Sequence, residues 1–355
     1  MKAAIFHGKE NIRIEEVVPQ PLKPGEVRIQ IAVALTCGTD LKVLKRGYHA
    51  KMIKPPSPFG HELAGTISEV APGAHAAHNR WKAGDRVVVA NSAPCGGCFF
   101  CRHGQENLCE DLMFLNGAYA EEIVIPARFV EKNMVHLKSQ TDFLDAALAE
   151  PLACVVQGID DLELRAGQTV LVLGAGPIGL MFVALAKHLG CRVSVTGRGH
   201  NRLQAARRLG AENVFDAGKD GDVLKAVQVP HWAEPGHAAV PGFDVVIEAV
   251  GKPETWDAAV RLVRKGGAVN FFGGCPGGTT ISLDTATIHY SNLKLLASFH
   301  HTPKTFRRAL QFIEQGVIRA KDFVDGQWPL TQLPELFKQM AAGNRAIKTL
   351  VNVRA

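Results

Sequence analysis

The sequence has 355 residues, which is more than one hydrophobic core usually serves, so we expect two domains. With 46% apolar and 21% charged residues, the composition is that of a globular protein and excludes a disordered chain. The net charge of +6 is mild, and the Lys and Arg residues are spread along the chain instead of forming runs, which argues against a nucleic-acid partner.

In the N-terminal residues MKAAIFHGKE, the charged residues Lys2 and Lys9 are too close together to enclose the apolar core of a secretory signal. We therefore expect a cytoplasmic protein. One uncharged stretch, residues 166–186, has about the length of a membrane span. The motif GAGPIG interrupts it and separates a strand-like half, TVLVL, from a helix-like half, LMFVALAKHLG. We therefore predict a strand, a turn and a helix, and no membrane segment.

From residue 1 to about residue 150 the pattern predicts short strands separated by Gly, Pro or polar residues, which is typical of a barrel-like domain. The predicted strands are AAIF, VRIQIAVAL, GTISEV, DRVVVA and AEEIVI. From about residue 155 strands alternate with helices, which predicts right-handed crossovers and a doubly wound parallel sheet. The alternating segments are TVLVL, RVSVT, NRLQAARRLG, FDVVIEAV, ETWDAAVRLVRKG and AVNFFG.

After about residue 296, TFRRALQFIEQG and LPELFKQMAAG have the periodicity of amphipathic helices, and IKTLVNV that of a closing strand. We expect this tail to rejoin the first domain. The predicted domains are therefore residues 1–152 with 296–355, and residues 153–295. Two stretches rich in Gly, Pro, Ala and His, residues 75–84 and 227–242, are predicted surface loops.

Four of the eight cysteines lie within fifteen residues, at Cys95, Cys98, Cys101 and Cys109. Disulfides are disfavoured in a reducing cytoplasm, whereas four thiolates in one loop can surround a zinc ion in a closed tetrahedral shell. An iron–sulfur cluster is the competing interpretation, but the second cysteine run and the following proline of such ferredoxins are missing. Four free structural cysteines are the remaining alternative. A closed zinc site would stabilise a loop, so the chemistry is expected elsewhere.

An open catalytic zinc site usually has three protein ligands and a water. Candidates are Cys37 in TCGTD, after the predicted strand VRIQIAVAL, and His61 and Glu62 in FGHELAG. Each alone is weak evidence, because a lone Cys is most often a small buried hydrophobe and a lone His a hydrogen-bonded residue.

The motif GAGPIG follows the strand TVLVL and opens a helix, which is the context of a dinucleotide-binding turn. Its glycines permit a tight turn and a close approach of the backbone to a pyrophosphate at the helix N-terminus. The residues concerned are Gly174, Gly176, Pro177, Ile178 and Gly179.

Taken together, these motifs and the pair Glu150–Pro151 resemble the zinc-dependent medium-chain dehydrogenase/reductase family from end to end. Glu150 in LAEPLACVVQG resembles the sorbitol, threonine and glucose dehydrogenase branch of the family. The best-known alcohol dehydrogenases have a third cysteine at this position instead. The resemblance implies a GroES-like β-barrel catalytic domain plus a doubly wound Rossmann domain. It also implies two zinc ions per chain, and a homodimer or homotetramer paired through the edge of the dinucleotide sheet.

The resemblance implies a catalytic zinc held by Cys37, His61 and one of the acids Glu62 and Glu150, with the other acid nearby. Zinc acts as a Lewis acid on an alcohol oxygen, so that the alcohol loses its proton more easily and can pass hydride to a nicotinamide. Thr39 matches the hydroxyl that takes this proton. Relatives often have a histidine where this chain has Lys42, so the usual proton exit can differ. Lys42 can contact a phosphate or a polar substrate instead, or it can simply face water.

About twenty residues after the glycine motif, a protein that binds NAD typically has an acid for the ribose hydroxyls. Here the strand RVSVT is followed by GRGHNR, which contains none. Gly197 makes room for a 2′-phosphate, Arg198 can pair with it, and Arg202 supplies a second cation, so we predict NADP in preference to NAD. The alternative is that both arginines face solvent and the enzyme accepts either cofactor. By resemblance, five further residues line the cofactor, Val250, Gly251, Phe272, Gly273 and Lys348.

The sequence thus predicts a zinc-dependent oxidoreductase that transfers hydride between a secondary alcohol of a polyol, sugar or related compound and NADP. An NADPH-dependent reductase of less polar aldehydes or ketones is one alternative. A non-catalytic relative that keeps the cofactor is another, but such proteins tend to lose zinc ligands, and all four candidates are present here.

Overall fold

A computed structural model describes residues 1–49, 51–76, 79–220, 224, 227, 231–232, 240–343 and 346–354. The described strands are β1 (Lys2–Gly8), β2 (Asn11–Glu16), β3 (Val27–Leu35), β4 (Ser57–Pro58), β5 (Glu62–Val70), β6 (His75–Ala76), β7 (Asn79–Arg80), β8 (Arg86–Val89), β9 (Ser92–Ala93), β10 (Met113–Phe114), β11 (Glu122–Ile125), β12 (Met134–His136), β13 (Thr169–Leu173), β14 (Arg192–Gly197), β15 (Asn213–Asp216), β16 (His231–Trp232), β17 (Val240–Pro241), β18 (Phe243–Glu248), β19 (Val263–Phe271), β20 (Lys294–Leu296), β21 (Val324–Pro329) and β22 (Lys348–Asn352).

The described helices are α1 (Gly38–Arg46), α2 (Phe99–Arg102), α3 (Ala127–Lys132), α4 (Phe143–Ala146), α5 (Ala149–Leu162), α6 (Pro177–His188), α7 (His200–Arg208), α8 (Ala217–Asp220), α9 (Pro253–Leu262), α10 (Thr285–Tyr290), α11 (Pro303–Glu314) and α12 (Leu333–Ala341). The chain divides into two compact units, Met1–Ala153 with His301–Ala355, and Cys154–His300.

The first unit is built around a sheet with the strand order β12-β8-β5-β3-β22-β21, with β11 also paired to β3. Its long strands β3 and β5 are mostly buried, and buried side chains of this unit form one apolar core that includes Phe6, Ile29, Phe59 and Phe337. The C-terminal strand β22 pairs antiparallel with β3. The tail of the chain therefore completes the sheet that the N-terminal strands begin.

Strand register brings together three segments that are far apart in the sequence. Leu35, at the end of β3, pairs with Glu62 at the start of β5 and with Leu350 in β22. The Thr36 backbone N–H donates to the Thr349 carbonyl at 3.0 Å, and the Thr349 N–H donates back to Thr36 Oγ1 at 3.0 Å. The residues after β3 and the first residues of β5 and β22 consequently meet at one end of the sheet.

The second unit contains six parallel strands in the order β15-β14-β13-β18-β19-β20. Counted along the chain, this is the order 3-2-1-4-5-6 of a doubly wound dinucleotide-binding sheet. All five residues of the central strand β13 are buried, as expected of a parallel strand covered on both faces. The predicted doubly wound parallel sheet is confirmed.

One predicted helix is shorter than expected. The segment ETWDAAVRLVRKG was predicted as a helix throughout, but α9 ends at Leu262, and Val263 is already extended with φ −81° and ψ 142°. Gly266 has φ +73°, a left-handed conformation that a helix cannot continue through. The predicted loop at residues 227–242 lies mostly outside the described residues. Within the described residues, no helix is both long enough and apolar enough to cross a membrane.

Candidate metal centres and dinucleotide site

The four cysteines of the loop 95–109 converge on one point. Their sulfur atoms all lie within 4.8 Å of one another, with Cys95 and Cys101 separated by 4.0 Å and Cys98 and Cys109 by 3.9 Å. These distances are far longer than a disulfide bond of about 2.05 Å. A tetrahedral zinc ion with Zn–S bonds of about 2.3 Å would place sulfurs about 3.8 Å apart. The loop therefore fits one zinc ion in a closed shell of four sulfurs.

Backbone amides around this loop favour the thiolate form. The N–H groups of Gly97 and Cys98 donate to Cys95 Sγ at 3.4 and 3.3 Å, and that of Cys95 donates to Cys109 Sγ at 3.2 Å. Amides from Cys101 and Glu110 lower the pKa of Cys98 to about 6. Hydrogen bonds to the charged form lower a thiol pKa, and the thiolate is the form that binds metal.

A second group of metal donors lies at the end of the sheet where β3, β5 and β22 meet. Cys37 precedes α1, His61 and Glu62 stand at the start of β5, and their donor atoms lie within 4.8 Å of one another. His61 and Glu62 are buried, and Cys37 is half-buried. The Thr39 backbone N–H donates to Cys37 Sγ at 3.4 Å. These three residues, predicted from two separate motifs, are thus brought together.

Asp40 holds one side of the His61 ring. His61 Nδ1 lies 2.9 Å from Asp40 Oδ1, and both side chains are almost completely buried. Burial opposes protonation of His61, but the charges of Asp40 and Cys37 outweigh burial and raise the pKa of His61 well above its usual value. Because Nδ1 faces Asp40, Nε2 is the nitrogen left for a metal ion.

Glu62 is paired with a buried lysine. The Lys348 ammonium donates to Glu62 Oε1 at 2.6 Å, to Glu62 Oε2 at 2.5 Å and to the Thr36 carbonyl at 3.0 Å. These three acceptors match the three protons of the ammonium group. Lys348 was predicted to lie along the cofactor, but in this structure it has no donor left for a phosphate group.

Glu150 stands in the first turn of α5 and is buried. Within the described part of the chain its carboxylate makes no hydrogen bond or ion pair. Burial raises the pKa of Glu150 to about 7, and charges on His61, Glu62 and Lys348 also act on it. Its donor atoms are not grouped with those of Cys37, His61 and Glu62. Glu150 is therefore an unpaired buried acid beside the candidate metal site.

The buried groups of this cluster fit a divalent cation. Asp40, Glu62 and Glu150 are buried acids, and Lys348 is the buried ammonium that pairs with Glu62. An ionised carboxylate away from water is costly unless a cation compensates it. Sulfur, imidazole and carboxylate are also the donor types that zinc takes in open sites. The residues present therefore fit a zinc ion.

Two further residues, in and just after the CGTD segment, occupy different environments. Thr39 is half-buried in the first turn of α1, two residues from Cys37. Lys42, one turn further along, is exposed and has no ion-pair partner in the described part of the chain. An exposed ammonium is compatible with each of the interpretations of Lys42.

The glycine motif forms the turn between β13 and α6. Gly174 has φ +112°, and a Cβ on Gly179 would overlap the Gly174 carbonyl oxygen, so both positions require glycine. Gly176 is the N-cap of α6, and a Cβ there would meet no atom within 4 Å. Pro177 opens the helix, and Ile178 follows it. The turn therefore leaves open backbone at a helix N-terminus, which is the surface that a pyrophosphate requires.

Gly197 is the last residue of β14, and a Cβ there would overlap Cβ of Ala175. Packing against the glycine turn therefore requires glycine at this position, whether or not the cofactor has a 2′-phosphate. Arg198 is exposed and makes no ion pair within the described residues. Gly199, with φ +93°, is the N-cap of α7, and Arg202 is half-buried in the first turn of that helix.

The ends of β18 and β19 meet beside the glycine turn. A Cβ on Gly174 would lie 2.8 Å from Val250 Cγ2, and one on Gly251 would lie 2.6 Å from the Gly274 carbonyl oxygen. The buried carboxylate of Glu248 accepts from the N–H groups of Val250 and Gly251 at 2.8 and 2.9 Å. Phe272 and Gly273 follow β19 directly. The predicted cofactor residues of this unit thus gather at the carboxyl ends of parallel strands.

Three functional candidates were not assigned a role from the sequence. Asp40 was named only as part of the CGTD motif, and Glu248 only as part of a predicted strand. Tyr119 in GAYAEE was given no role. The strand periodicity shows only which face a residue occupies, and nothing in it indicates that Tyr119 contacts Asp40.

Two family models match the chain. The alcohol dehydrogenase GroES-like domain matches residues 23–135, and the zinc-binding dehydrogenase domain matches residues 177–315. Sorbitol dehydrogenase of Bacillus subtilis is 29% identical over 359 residues, covering 99% of this chain and 97% of that protein. L-threonine 3-dehydrogenase of Pyrococcus horikoshii is 30% identical over 350 residues, covering 97% of this chain and 95% of that protein.

Among solved structures, a protein of Sinorhizobium meliloti described as a zinc-binding dehydrogenase and bound to NADP is 30% identical to this chain. It superimposes with a TM-score of 0.86 and covers 99% of this chain and 98% of its own length. These matches extend over both units, so they concern the whole chain and not one domain.

Proposed function

Because this chain belongs to the zinc-dependent medium-chain alcohol dehydrogenase family, we propose that it oxidises a secondary alcohol of a polyol, sugar or related polyhydroxylated compound, reversibly, with NADP. The two compact units would be its domains, a GroES-like catalytic domain and a Rossmann domain that binds the cofactor. The observation that carries the proposal is the buried group Cys37, His61 and Glu62, whose donors lie within 4.8 Å of one another.

We assign the catalytic zinc to Cys37, His61 and Glu62, because these three donors converge, and a second, structural zinc to the four-cysteine loop. Bound zinc would supply a Lewis acid that lowers the pKa of a substrate hydroxyl. Around it, Asp40 orients His61, and Lys348 offsets the charge of Glu62. Glu150 is the additional acid beside these ligands, and Thr39 would relay the proton of the alcohol, taking it as its own hydroxyl proton leaves.

A polar substrate is supported by a buried acid beside the metal site and by two relatives. Glu150 is buried beside the candidate ligands and has no partner in the described residues, so its carboxylate is available to a substrate hydroxyl. The relatives are named for sorbitol and for L-threonine. Both molecules carry a secondary hydroxyl next to a second polar group, and we propose that this chain selects the same arrangement.

NADP is supported by the end of β14. Arg198 is exposed and unpaired in the described part of the chain, so its guanidinium is available for a 2′-phosphate in bidentate geometry. The segment GRGHNR, residues 197–202, also contains no acid for the ribose hydroxyls, which an NAD-binding protein of this fold typically has after this strand. The NADP-bound structure of the related Sinorhizobium meliloti protein is consistent with this choice.

Pairing of two copies through β20 is a further element of the proposal. This strand is the last of the six-stranded sheet, and its outer edge has no partner strand in the described residues. An unpaired edge can accept a strand from a second copy. We therefore propose a homodimer or homotetramer in which two such sheets join.

The test of the proposed function is an absorbance assay for reduced nicotinamide with a panel of sugars, polyols, amino alcohols and simple alcohols. NADP and NAD are each offered, with and without a zinc chelator, and zinc is counted by elemental analysis. We expect chelator-sensitive turnover of a polyhydroxylated alcohol and two zinc ions per chain. Turnover confined to apolar aldehydes or ketones would replace the substrate class, and a single tightly held zinc without turnover would indicate a non-catalytic relative.

Replacing Arg198 by alanine is expected to lower kcat/KM with NADP about 10- to 100-fold and to leave kcat/KM with NAD almost unchanged. The loss corresponds to one or two hydrogen bonds between charged groups. Arg207→Ala is the matched control, because Arg207 is an exposed arginine in the last turn of α7, the helix that follows Arg198. A wild-type protein that prefers NAD, or an Arg207→Ala variant with the same loss, would contradict the assignment.

A further inference from the structure

The Tyr119 hydroxyl lies in the apolar core of the first unit and has a specific acceptor. Tyr119 is 0% exposed, and its O–H donates to Asp40 Oδ2 at 2.7 Å, with the Leu35 carbonyl at 3.2 Å as a second acceptor. Burial, together with the charge of Asp40, raises the pKa of Tyr119 well above its usual value. The phenol therefore stays protonated and acts as a donor to the carboxylate.

The position of this hydroxyl is fixed by the surroundings of the ring. Phe59 and Phe337 pack against it edge-on, with ring centroids 5.9 and 6.1 Å from that of Tyr119. Gly60 has φ +87°, and a Cβ there would lie 2.5 Å from the Tyr119 ring, so glycine leaves the space that the ring fills. The Tyr119 N–H donates to the Phe59 carbonyl at 3.0 Å, and the Ala4 N–H donates to the Tyr119 carbonyl at 2.8 Å.

Asp40 stands between Tyr119 and the candidate zinc ligand His61. Its Oδ2 accepts from Tyr119, and its Oδ1 lies 2.9 Å from His61 Nδ1. Asp40 thus has a hydrogen bond from Tyr119 on one oxygen and an ion-pair contact with His61 on the other, and a rotation of the carboxylate would give up one of the two. The His61 ring, which has Asp40 as its partner on Nδ1, is then held in the orientation that directs Nε2 away from Asp40.

We propose that Tyr119 is a positioning residue of the metal centre, whose hydroxyl fixes the Asp40 carboxylate and through it the ring of His61. The inference rests on the zinc site proposed above. Removal of the hydroxyl leaves the Asp40 carboxylate with one partner instead of two, and His61 is then less well oriented toward zinc. Partners of this kind typically change metal affinity about 10- to 100-fold.

Tyr119→Phe tests this inference, because it removes the hydroxyl and keeps the ring. The full-length protein is loaded with zinc, and release of each ion to a colorimetric chelator is followed at several chelator concentrations. The four-cysteine site in the same chain is the internal reference. We expect one of the two zinc ions to bind about 10- to 100-fold more weakly in Tyr119→Phe and the other to be unchanged.

Phe337→Leu is the control for packing, since it disturbs the ring of Tyr119 and leaves the hydroxyl in place. It is expected to lower the thermal unfolding midpoint without selective loss of one zinc ion. In an Asp40→Asn background, Tyr119→Phe should add little, because the hydroxyl acts through Asp40. Equal zinc affinity in wild type and Tyr119→Phe, equal loss in Phe337→Leu, or full additivity with Asp40→Asn would each overturn the inference.

The same experiment separates this inference from the proposed function. If the wild-type chain holds two zinc ions and Tyr119→Phe holds both as tightly, the zinc site stands and the role of Tyr119 is wrong. If the wild-type chain holds only the ion of the four-cysteine loop, the zinc site itself is wrong, and the inference falls with it.

Discussion

Cys37→Ala is expected to lower kcat at least about 1,000-fold and to reduce the zinc content from two ions per chain to one. Lewis-acid stabilisation by a metal ion contributes several kcal/mol to a transition state, and each 1.4 kcal/mol is about a factor of ten in rate. Alanine supplies no metal donor, so the proposed catalytic site would lose its one sulfur ligand and keep only His61 and Glu62. Kinetics with the best substrate and elemental analysis measure both effects on the same sample.

Cys191→Ala is the matched control for loss of a thiol. Cys191 is buried in the second unit, and its Sγ donates to the Arg165 carbonyl at 3.4 Å, remote in the chain from both groups of metal donors. This variant should keep both zinc ions and normal turnover. A Cys37→Ala protein that keeps two zinc ions, or that turns over as the control does, would show that Cys37 is not a ligand of a catalytic metal.

The zinc donors could be predicted from the sequence because they stand in short motifs whose residue types have a limited chemistry. The four cysteines are close in the chain, and Cys37, His61 and Glu62 each follow or open a predicted strand. Parallel strands likewise collect their carboxyl ends on one edge, so the glycine turn and the ends of β18 and β19 could be placed together. Local pattern and general topology pointed to the four-cysteine loop and the glycine turn, whereas the set Cys37, His61 and Glu62 was predicted from the resemblance to the dehydrogenase family.

The partners of the ligands could not be predicted in this way. Lys348 and Glu62 are 286 residues apart, and Tyr119 and Asp40 are 79 apart, so each contact depends on strand register that one sequence does not specify. Lys348 was expected near the cofactor by resemblance to the family, whereas here β22 pairs with β3 and Lys348 pairs with Glu62. The early end of α9 coincides with the start of β19 at Val263, which pairs with Phe243 of β18, and a helix pattern in one sequence does not show such a pairing.

Lys348→Met is expected to lower the free energy of unfolding by about 3–5 kcal/mol, because it leaves the charge of Glu62 buried without its partner. Burial alone would lower the pKa of Lys348, but the charge of Glu62 raises it, so the ammonium stays charged at neutral pH. Methionine fills a similar volume, which confines the change to the charge and the hydrogen bonds. Urea unfolding followed by circular dichroism measures the loss.

Lys338→Met is the matched control, since Lys338 pairs with Glu335 at 3.9 Å on the exposed side of α12. An exposed pair of this kind contributes at most about 1 kcal/mol, so this variant should be nearly as stable as the wild type.

Combining Lys348→Met with Glu62→Gln should recover much of the loss, because the double variant buries neither charge. If Lys348 served the cofactor instead, Lys348→Met would raise the KM for NADP and leave the unfolding free energy unchanged. A change of stability that is recovered by Glu62→Gln would therefore place Lys348 with the metal ligands, and a change of KM alone would place it with the phosphate groups.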